Sequence, residues 1–349
     1  MKGNKKTVLI GLSGGVDSAV AAGMLLREGY EVIGLYLQMT DITGGLQSVS
    51  KIADALKIEV ITLDVRGDFE QIIDYFVSEY ARGRTPNPCI RCNAKIKFAH
   101  LLEQADKLDI DYVATGHHAR IIDGFIYRAF DKDQSYALFE LPREYLPRII
   151  LPLGGLRNKQ EVHSLAEQMG LSSLHSPDSQ EICFVKGDYT SLLRQRRPEV
   201  FRKGNIVNTA GEVLGKHDGI VHFTIGQRRG LGVALGKPMY VINIDPSTAT
   251  VTIGDKHELQ SHHLYATDAN WHDLPADDVF EALVRIRYNH PGCLGRVHIV
   301  DEQRFEVDFI EPAVAITPGQ AAVVYQGDKL LGGGWIEKIS EKNSENQDL

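Results

Sequence analysis

Cysteines and long hydrophobic runs are both scarce in this sequence. Only four of its 349 residues are cysteine. That is too few for a disulfide scaffold, and in a reducing compartment thiols are more often catalytic or metal-binding. No apolar run approaches the ~18 residues of a membrane-spanning helix. The apolar run behind the N-terminal lysines, residues 8–12, is too short for a signal peptide. We therefore expect a cytoplasmic protein without a membrane partner.

Basic residues are not in excess either, since the formal net charge is −8. This charge argues against a protein that coats nucleic acid indiscriminately, although it leaves room for a local basic surface. The sequence contains neither a Gly-Lys-Ser/Thr triplet nor a G-x-G-x-x-G pattern, which excludes two common nucleotide-binding motifs. With 43% hydrophobic and 24% charged residues, the composition is that of a globular protein, and the length predicts two or three domains.

Short apolar runs alternate with amphipathic stretches through the first half of the chain. The predicted strands are residues 8–12, 31–37, 59–64 and 111–115, and the predicted helices are residues 18–28, 46–56, 69–81 and 96–107. This alternation predicts an α/β fold with a doubly wound parallel sheet over residues 1–185. Ligands of such sheets bind at the carboxyl ends of the strands.

The second half of the chain has a different pattern. Residues 186–229 hold four acids and nine bases, which are Lys186, Arg194, Arg196, Arg197, Arg202, Lys203, Lys216, Arg228 and Arg229. We expect residues 186–256 to form a small central β-rich domain with a basic surface. Short alternating runs at residues 280–288, 296–300, 304–310 and 321–325 predict a C-terminal β-barrel over residues 257–340. The polar residues 341–349 predict a disordered tail.

A glycine-rich loop (residues 11–18) directly follows the first predicted strand and opens a helix. It consists of Gly11, Leu12, Ser13, Gly14, Gly15, Val16, Asp17 and Ser18. Backbone N–H groups in such a loop can turn toward an anion, and the helix N-terminus favours negative charge. The string SGGVDS matches the pyrophosphatase (PP) loop of enzymes that split ATP into AMP and pyrophosphate. The alternative is a simple glycine-rich turn in which Asp17 and Ser18 cap the helix.

Three cysteines stand in distinctive surroundings. Cys89 and Cys92 form a C-x-x-C pair in a proline-rich loop before a helix, and Cys183 lies at the end of the first predicted domain. We expect Arg91, Lys95 and the helix N-terminus to lower the pKa of Cys92. The fourth cysteine, Cys293, stands in a turn and is interpreted as a bystander.

Four interpretations of the C-x-x-C pair compete. A structural zinc site needs four ligands, and neither a second C-x-x-C nor a suitable histidine pair is found. A thioredoxin-like redox motif is disfavoured by the glycine-rich loop. The pair can also be two small buried residues. The fourth interpretation is sulfur or cluster chemistry that uses Cys92, Cys183 and Cys89.

Seven motifs occur in an order that resembles the tRNA-specific 2-thiouridylases, the MnmA family. They are SGGVDS, GRTPNPCIRCN, ATGH, KDQSY, DSQEICF, TIGQRRGLG and TPGQ. The resemblance runs from Val8 to Ile339. It implies a PP-loop domain of the adenine nucleotide alpha hydrolase-like class. It also implies that ATP adenylates the 2-carbonyl oxygen of the wobble uridine of tRNA, so that AMP becomes the leaving group when sulfur replaces oxygen.

The resemblance assigns roles to individual residues. ATP would contact residues 11–18, Leu37 and Gly116, with Mg²⁺ as the counterion of the phosphates. Cys183 would receive sulfur as a persulfide from a sulfur-relay protein or a cysteine desulfurase. Cys92 would be the nucleophile that helps to release this sulfur, leaving a Cys92–Cys183 disulfide to be reduced.

The same resemblance implies an RNA-binding surface. Asn87, Pro88 and Cys89 match the loop that meets the target base, which must be turned out of its stack. Further positions match tRNA contacts, namely His117, Lys132, Asp133, Gln134, Arg287, Tyr288 and Gln320. The basic central domain would bind phosphates. The neighbouring His118 is interpreted as a surface residue.

The chain departs from the family pattern at three places. Cys89 stands where many members carry Asp, so Cys89, Cys92 and Cys183 could together hold a 4Fe–4S cluster with one open iron. Residues 38–47 are shorter than in many members, and Ser176 replaces a frequent Lys. Two rivals remain. One is a PP-loop ligase with an amine nucleophile, which would not need Cys92 and Cys183. The other is an RNA-binding protein without activity, which would not need an intact SGGVDS loop.

Overall fold

The computed structural model describes residues 6–41, 44–171, 182–185, 187–233 and 236–337. Ser176, Lys186, most of the DSQEICF motif and the predicted tail lie outside these residues. Three sheets organise the described chain: a parallel sheet of five strands, a sheet of four strands and a sheet of eight. No helix in the described part is both long and apolar enough to cross a membrane.

The first sheet and its helices come from the N-terminal half of the chain. In chain order the elements are β1 (Thr7–Gly11), α1 (Val16–Arg27), β2 (Glu31–Gln38), α2 (Gly44–Leu56), β3 (Glu59–Asp64), α3 (Arg66–Ala81), α4 (Pro88–Cys92), a π-helix (Asn93–Phe98), α5 (Ala99–Lys107), β4 (Tyr112–Ala114), β5 (Ala119–Ile122), β6 (Phe125–Arg128), β7 (Ile149–Ile150) and α6 (Lys159–Gln168). The sheet order is β3-β2-β1-β4-β7, and every pair is parallel. The predicted parallel sheet is therefore confirmed.

The centre of this sheet explains where the glycine-rich loop lies. Val8, Leu9 and Ile10 of β1 are fully buried because the strand is covered on both faces. On one face, α1 presents a run of small residues, Ala19 to Ala22, which are also fully buried. The chain leaves β1 at its carboxyl end and enters α1 directly, so the glycine-rich loop lies at the edge where α/β folds bind ligands.

The central sheet is small and follows a short helix. Its elements are α7 (Thr190–Arg196), β8 (Gly204–Val207), β9 (Val213–His217), β10 (Tyr240–Asp245) and β11 (Thr250–Gly254). The strand order is β10-β11-β8-β9, around buried Ile206, Val241 and Val251. The predicted β-rich central region is confirmed.

The C-terminal strands form a barrel. They are β12 (Gln260–Trp271), β13 (Val279–Arg285), β14 (Cys293–Asp301), β15 (Arg304–Val314), β16 (Ala321–Gln326) and β17 (Lys329–Glu337). The order is β12-β15-β14-β13-β16-β17, and a further pairing of β12 with β17 closes the ring of six antiparallel strands. Closure leaves neither β12 nor β17 as a free edge of the ring. The predicted barrel is confirmed, and β12 and β17 extend it beyond the runs recognised in the sequence.

One hairpin of the N-terminal half leaves the parallel sheet and joins the C-terminal strands. The strands β5 and β6 pair with each other, and Tyr127 of β6 pairs with Lys329 of β17. The Arg128 N–H also donates to the Asp328 carbonyl at 2.8 Å. No pattern recognised in the sequence predicted this hairpin. It lies between residues of the predicted active site and ties them to the barrel.

Candidate active site

The glycine-rich loop is held by its own serines. The Ser18 hydroxyl donates to the Gly15 carbonyl at 3.0 Å, and the Ser13 Oγ accepts the Gly15 N–H at 3.3 Å. Gly14 adopts a φ of +84°, a conformation that favours glycine. Gly15 is the N-cap of α1 and no side chain caps the helix, so the interpretation of Asp17 and Ser18 as caps is wrong. The first N–H groups of α1 remain available to an anion.

Gly116 approaches this loop from the chain after β4. A Cβ atom at Gly116 would lie 2.6 Å from the Ser18 backbone nitrogen and 2.7 Å from the Asp17 carbonyl carbon. Both are backbone atoms, so only glycine fits between β4 and the start of α1. Leu37, the other residue predicted to contact ATP, is buried near the carboxyl end of β2.

Asp17 is the charged residue of the loop, and two side chains from other segments face it. The Lys132 ammonium lies 2.9 Å from Asp17 Oδ2, and His118 Nε2 lies 3.5 Å from the same oxygen. Burial by itself would raise the pKa of Asp17, but His118 and Lys132 lower it to about 2. The carboxylate is therefore ionised at any ordinary pH. His118 is only 4% exposed, so its interpretation as a surface residue is wrong.

The residues that follow Lys132 are bonded within the protein. Asp133 accepts a hydrogen bond from the largely buried Arg285 of β13 at 2.6 Å. Gln134 bonds the backbone of His118 twice, through its side-chain oxygen and through its own N–H. The 131–134 loop thus joins the barrel to the glycine-rich loop, and its predicted contact with tRNA stays a prediction.

Cys92 lies at the end of α4, not at a helix N-terminus. Its side chain is 5% exposed, and its Sγ lies 4.0 Å from Met39 Sδ. Burial raises the pKa of Cys92 to about 11, and Lys97 opposes this shift. The expectation of a lowered pKa is therefore wrong. Arg91 is not the cation that acts on Cys92, because its guanidinium pairs with Glu140 and stacks on Trp335.

Lys97 is the cation that sequence reasoning missed. The half-buried Lys97 ammonium donates to Asn93 Oδ1 at 3.0 Å, and the Asn93 amide donates to the Ala137 carbonyl at 3.0 Å. The π-helix here relates residues five apart, which is the spacing of Cys92 and Lys97. Lys95, the predicted partner, is exposed. The signal lies in the π-helical geometry, which the sequence pattern does not reveal.

Cys183 and Cys89 complete the group of thiols. Both are exposed, and all four cysteines of the chain are free thiols. Desolvation raises the pKa of Cys183, and Lys97 again acts in the opposite direction. Cys183 and Cys89 contribute to the raised pKa of Cys92, and Cys89 contributes to that of Cys183. Cys293, in contrast, lies at the start of β14 with its sulfur 4.0 Å from His290 Nε2.

The proline-rich segment before α4 is clamped by the barrel. The Gln320 amide donates to the Thr85 carbonyl at 2.9 Å, and the Thr85 N–H donates to the Pro318 carbonyl at 2.9 Å. Arg84 adds ion pairs to Glu79 of α3 and Glu337 of β17. Gln320 therefore positions the segment that carries Asn87 and Pro88. The predicted contact of Gln320 with tRNA stays a prediction.

The other predicted RNA contacts lie around this region. The ring of His117 stacks on Phe98, and the Thr115 hydroxyl lies 2.7 Å from its Nδ1. Burial lowers the pKa of His117 to about 3, so the ring is neutral. Tyr288 is half-buried with its ring 6.2 Å from that of Tyr136, and Arg287 is exposed.

The predicted basic surface of the central domain is partly neutralised. Arg196 lies 2.8 Å from Glu70 of α3, and Arg197 pairs with Glu199. Arg228 and Arg229 are exposed.

The side chains around the site determine whether it can hold a metal ion. Among the residues that the structure describes, no group of three or more His, Cys, Asp or Glu could hold a metal ion. As placed, Cys89, Cys92 and Cys183 do not form a cluster site. The carboxylate within the glycine-rich loop, Asp17, is already paired with Lys132. We therefore derive no step through an iron–sulfur cluster or through Mg²⁺.

Comparisons with known proteins match nearly the whole chain. Family models described as a tRNA methyl transferase HUP domain, a tRNA methyl transferase PRC-barrel domain and an aminomethyltransferase beta-barrel domain match residues 6–187, 191–255 and 261–336. A tRNA-specific 2-thiouridylase of Carboxydothermus hydrogenoformans is 46% identical over 361 residues, 96% of this chain and 98% of the relative. A second one, of Treponema denticola, is 44% identical over 95% of this chain and 98% of the relative. Among solved structures, a 4-thiouridine synthetase–RNA complex with bound ATP is 18% identical with a TM-score of 0.36, over 56% of this chain and 51% of that chain.

Proposed function

Because this chain belongs to the family of tRNA-specific 2-thiouridylases, we propose that it replaces the 2-oxygen of the wobble uridine of tRNA with sulfur. It is a tRNA sulfurtransferase that uses ATP and releases AMP and pyrophosphate. The two thiouridylase relatives match 95–96% of the chain at 44–46% identity, so the methyl-transfer wording of two family models does not indicate a different reaction.

The first step activates the carbonyl. The 2-oxygen of the uridine attacks the α-phosphorus of ATP, the bond to the bridging oxygen breaks, and pyrophosphate leaves. The uncapped N-terminus of α1 and the backbone of residues 11–18 suit the phosphates, because free N–H groups and the helix dipole favour negative charge. Gly116 keeps β4 close to this helix end.

The second step transfers sulfur. The terminal sulfur of a Cys183 persulfide bonds to carbon 2, and AMP leaves with the original oxygen. Cys92 then loses its proton to solvent and its thiolate attacks the inner sulfur of Cys183, the sulfur–sulfur bond breaks, and the terminal sulfur stays on the uridine. An external dithiol supplies the two electrons that reduce the resulting Cys92–Cys183 disulfide.

The match to the thiouridylases over nearly the whole chain, together with one buried thiol (Cys92) and one exposed thiol (Cys183), carries the proposal. Lys97 favours the thiolate form of both residues. Burial nevertheless keeps Cys92 protonated at neutral pH. A persulfide donor protein can reach Cys183 because this residue is exposed. This arrangement suits a relay in which exposed Cys183 receives the sulfur from the donor and buried Cys92 acts afterwards as the nucleophile.

The RNA side of the proposal uses two surfaces. Asn87, Pro88 and Cys89 lie at the start of α4, ahead of the buried Cys92, so a base turned out of its stack would meet this segment before it reaches Cys92. Arg228 and Arg229 of the central domain are exposed and would bind phosphates.

A single-turnover assay tests the proposed function. Unmodified tRNA, ATP and the persulfide-loaded enzyme are mixed, and pyrophosphate and 2-thiouridine are both quantified. We expect the products in equal amounts, with thiolation lost in Cys183→Ala and retained in the control Cys293→Ala. Cys183→Ala should still bind tRNA. Pyrophosphate release that needs a small amine instead of tRNA would point to an amine-using ligase and contradict the proposal.

A further inference from the structure

The ion pair between Lys132 and Asp17 joins a loop predicted to contact tRNA to the loop predicted to hold ATP. The two charged atoms are 2.9 Å apart, and the side chains are 27% and 29% exposed. Asp17 lies in the first turn of α1, close to the N–H groups that would bind the phosphates. An ionised carboxylate at this place repels a polyphosphate unless a cation compensates it.

Several neighbours fix the position of Lys132. Its φ of +50° lies in the left-handed region, which lysine adopts only at a cost. The next residue, Asp133, accepts from Arg285 and from the N–H groups of Ala129 and Ser135. An ion pair held by such a network differs from a pair of long surface side chains, which contributes little.

His118 faces the same carboxylate. Its ring is almost fully buried, and Nε2 has no hydrogen-bond partner among the described residues while it points toward Asp17 at 3.5 Å. Gln134 fixes the backbone of His118. Lys132, Asp133 and Gln134 thus form one continuous support for Asp17 in the protein without RNA.

We propose that Lys132 is a positioning residue for the nucleotide, which holds and neutralises Asp17 before any tRNA is bound. This inference rests on the proposed function, because it takes residues 11–18 as the ATP site. It differs from the role implied by the family resemblance, in which Lys132 contacts tRNA. The two roles differ in their prediction for ATP binding without tRNA: a positioning role predicts weaker binding when Lys132 is replaced, and a tRNA-contacting role predicts no change.

The experiment measures the affinity of the full-length, tRNA-free protein for a non-hydrolysable ATP analogue by calorimetry. We expect Lys132→Met to weaken binding by about tenfold, within the usual range of coupling between neighbouring sites, and Lys132→Arg to restore part of it. The matched control is Lys237→Met, because Lys237 also forms an ion pair, with Asp255 at 2.8 Å, but lies in the central domain. Its affinity should equal that of the unaltered protein.

Two further variants separate charge from folding. Lys132→Asn tolerates the left-handed backbone and should weaken binding as Lys132→Met does. The double variant Asp17→Asn/Lys132→Met removes both charges and should bind more tightly than Lys132→Met alone. Unchanged affinity for the analogue in Lys132→Met and Lys132→Asn, with only tRNA binding reduced, would overturn the inference. Absence of binding in the unaltered protein would instead overturn the assignment of residues 11–18.

Discussion

The guanidinium of Arg91 lies over the indole ring of Trp335, with its central carbon 4.6 Å from the ring centroid. Arg91 stands one residue before Cys92, and Trp335 belongs to the last strand of the barrel. Arg91 also pairs with Glu140, whose carboxylate is mostly buried. The C-terminal barrel therefore supports the segment that carries the buried thiol.

Removal of Arg91 should destabilise the protein. In Arg91→Ala the carboxylate of Glu140 loses its partner inside the protein, and breaking such a pair costs about 3 kcal/mol. Chemical denaturation measures the change. The control is Arg66→Ala, since Arg66 pairs with exposed Asp41 and Asp64 and should cost at most about 0.5 kcal/mol. Equal losses in both variants would show that Arg91 is an ordinary surface residue.

Gly116→Ala should damage the ATP site while the barrel remains intact. The added Cβ would meet backbone atoms of Asp17 and Ser18, so the start of α1 must shift, at a cost of about 1–3 kcal/mol. Binding of the ATP analogue should fall strongly. Gly155→Ala is the control, because a Cβ there meets nothing within 4 Å. Normal analogue binding by Gly116→Ala would argue against close packing of β4 on α1.

The reactivity of Cys92 should increase steadily at alkaline pH. Its pKa is raised to about 11 by burial, so the thiolate fraction is small at pH 8 and still grows above pH 10. Peptide-resolved alkylation with iodoacetamide measures the rate at each pH. At pH 8 Cys92 should be alkylated more slowly than the exposed Cys89. Lys97→Met should shift the Cys92 profile to higher pH, because it removes the opposing positive charge.

Lys95→Met is the control for that experiment, since Lys95 is exposed and should leave the profile unchanged. A midpoint for Cys92 below the ordinary thiol pKa of about 8.5 would mean that the resting enzyme already holds a thiolate.

The central domain should contribute electrostatically to tRNA binding. Arg228→Ala with Arg229→Ala should weaken binding and reduce the steepness of log affinity against log salt concentration by about 1 to 2. The reason is that fewer counterions leave the tRNA on binding when the protein makes fewer phosphate contacts. Arg196→Ala with Arg197→Ala serves as the control, since both are already paired with acids of the protein. An equal change of slope in the two double variants would contradict a specific role for residues 228 and 229.

Local chemistry explains which parts of the site could be predicted. The SGGVDS string and the strand before it specify a strand, a tight loop and a helix start through neighbouring residues, and the structure contains all three. The buried runs of β1 and β2 likewise predicted a parallel sheet. These features depend on residues that are adjacent in sequence.

The remaining features depend on contacts between distant residues. The Gln320 bond to Thr85 and the Lys132 pair with Asp17 each join segments more than a hundred residues apart, so no local pattern encodes them. The prediction of a lowered pKa for Cys92 was wrong for a related reason. Proximity in sequence suggested Arg91 and Lys95 as its partners, whereas the π-helix brings Lys97 into play and tertiary packing turns Arg91 toward the barrel.

The pairing of β6 with β17 has a consequence for synthesis on the ribosome. The hairpin of β5 and β6 emerges early, but its partner strand follows roughly 200 residues later, and such long-range pairings form slowly. Until then one edge of the hairpin is exposed and can pair with another chain. We expect truncated chains that end before β17 to aggregate, and expression of the N-terminal half alone to need a chaperone or a cap on β6.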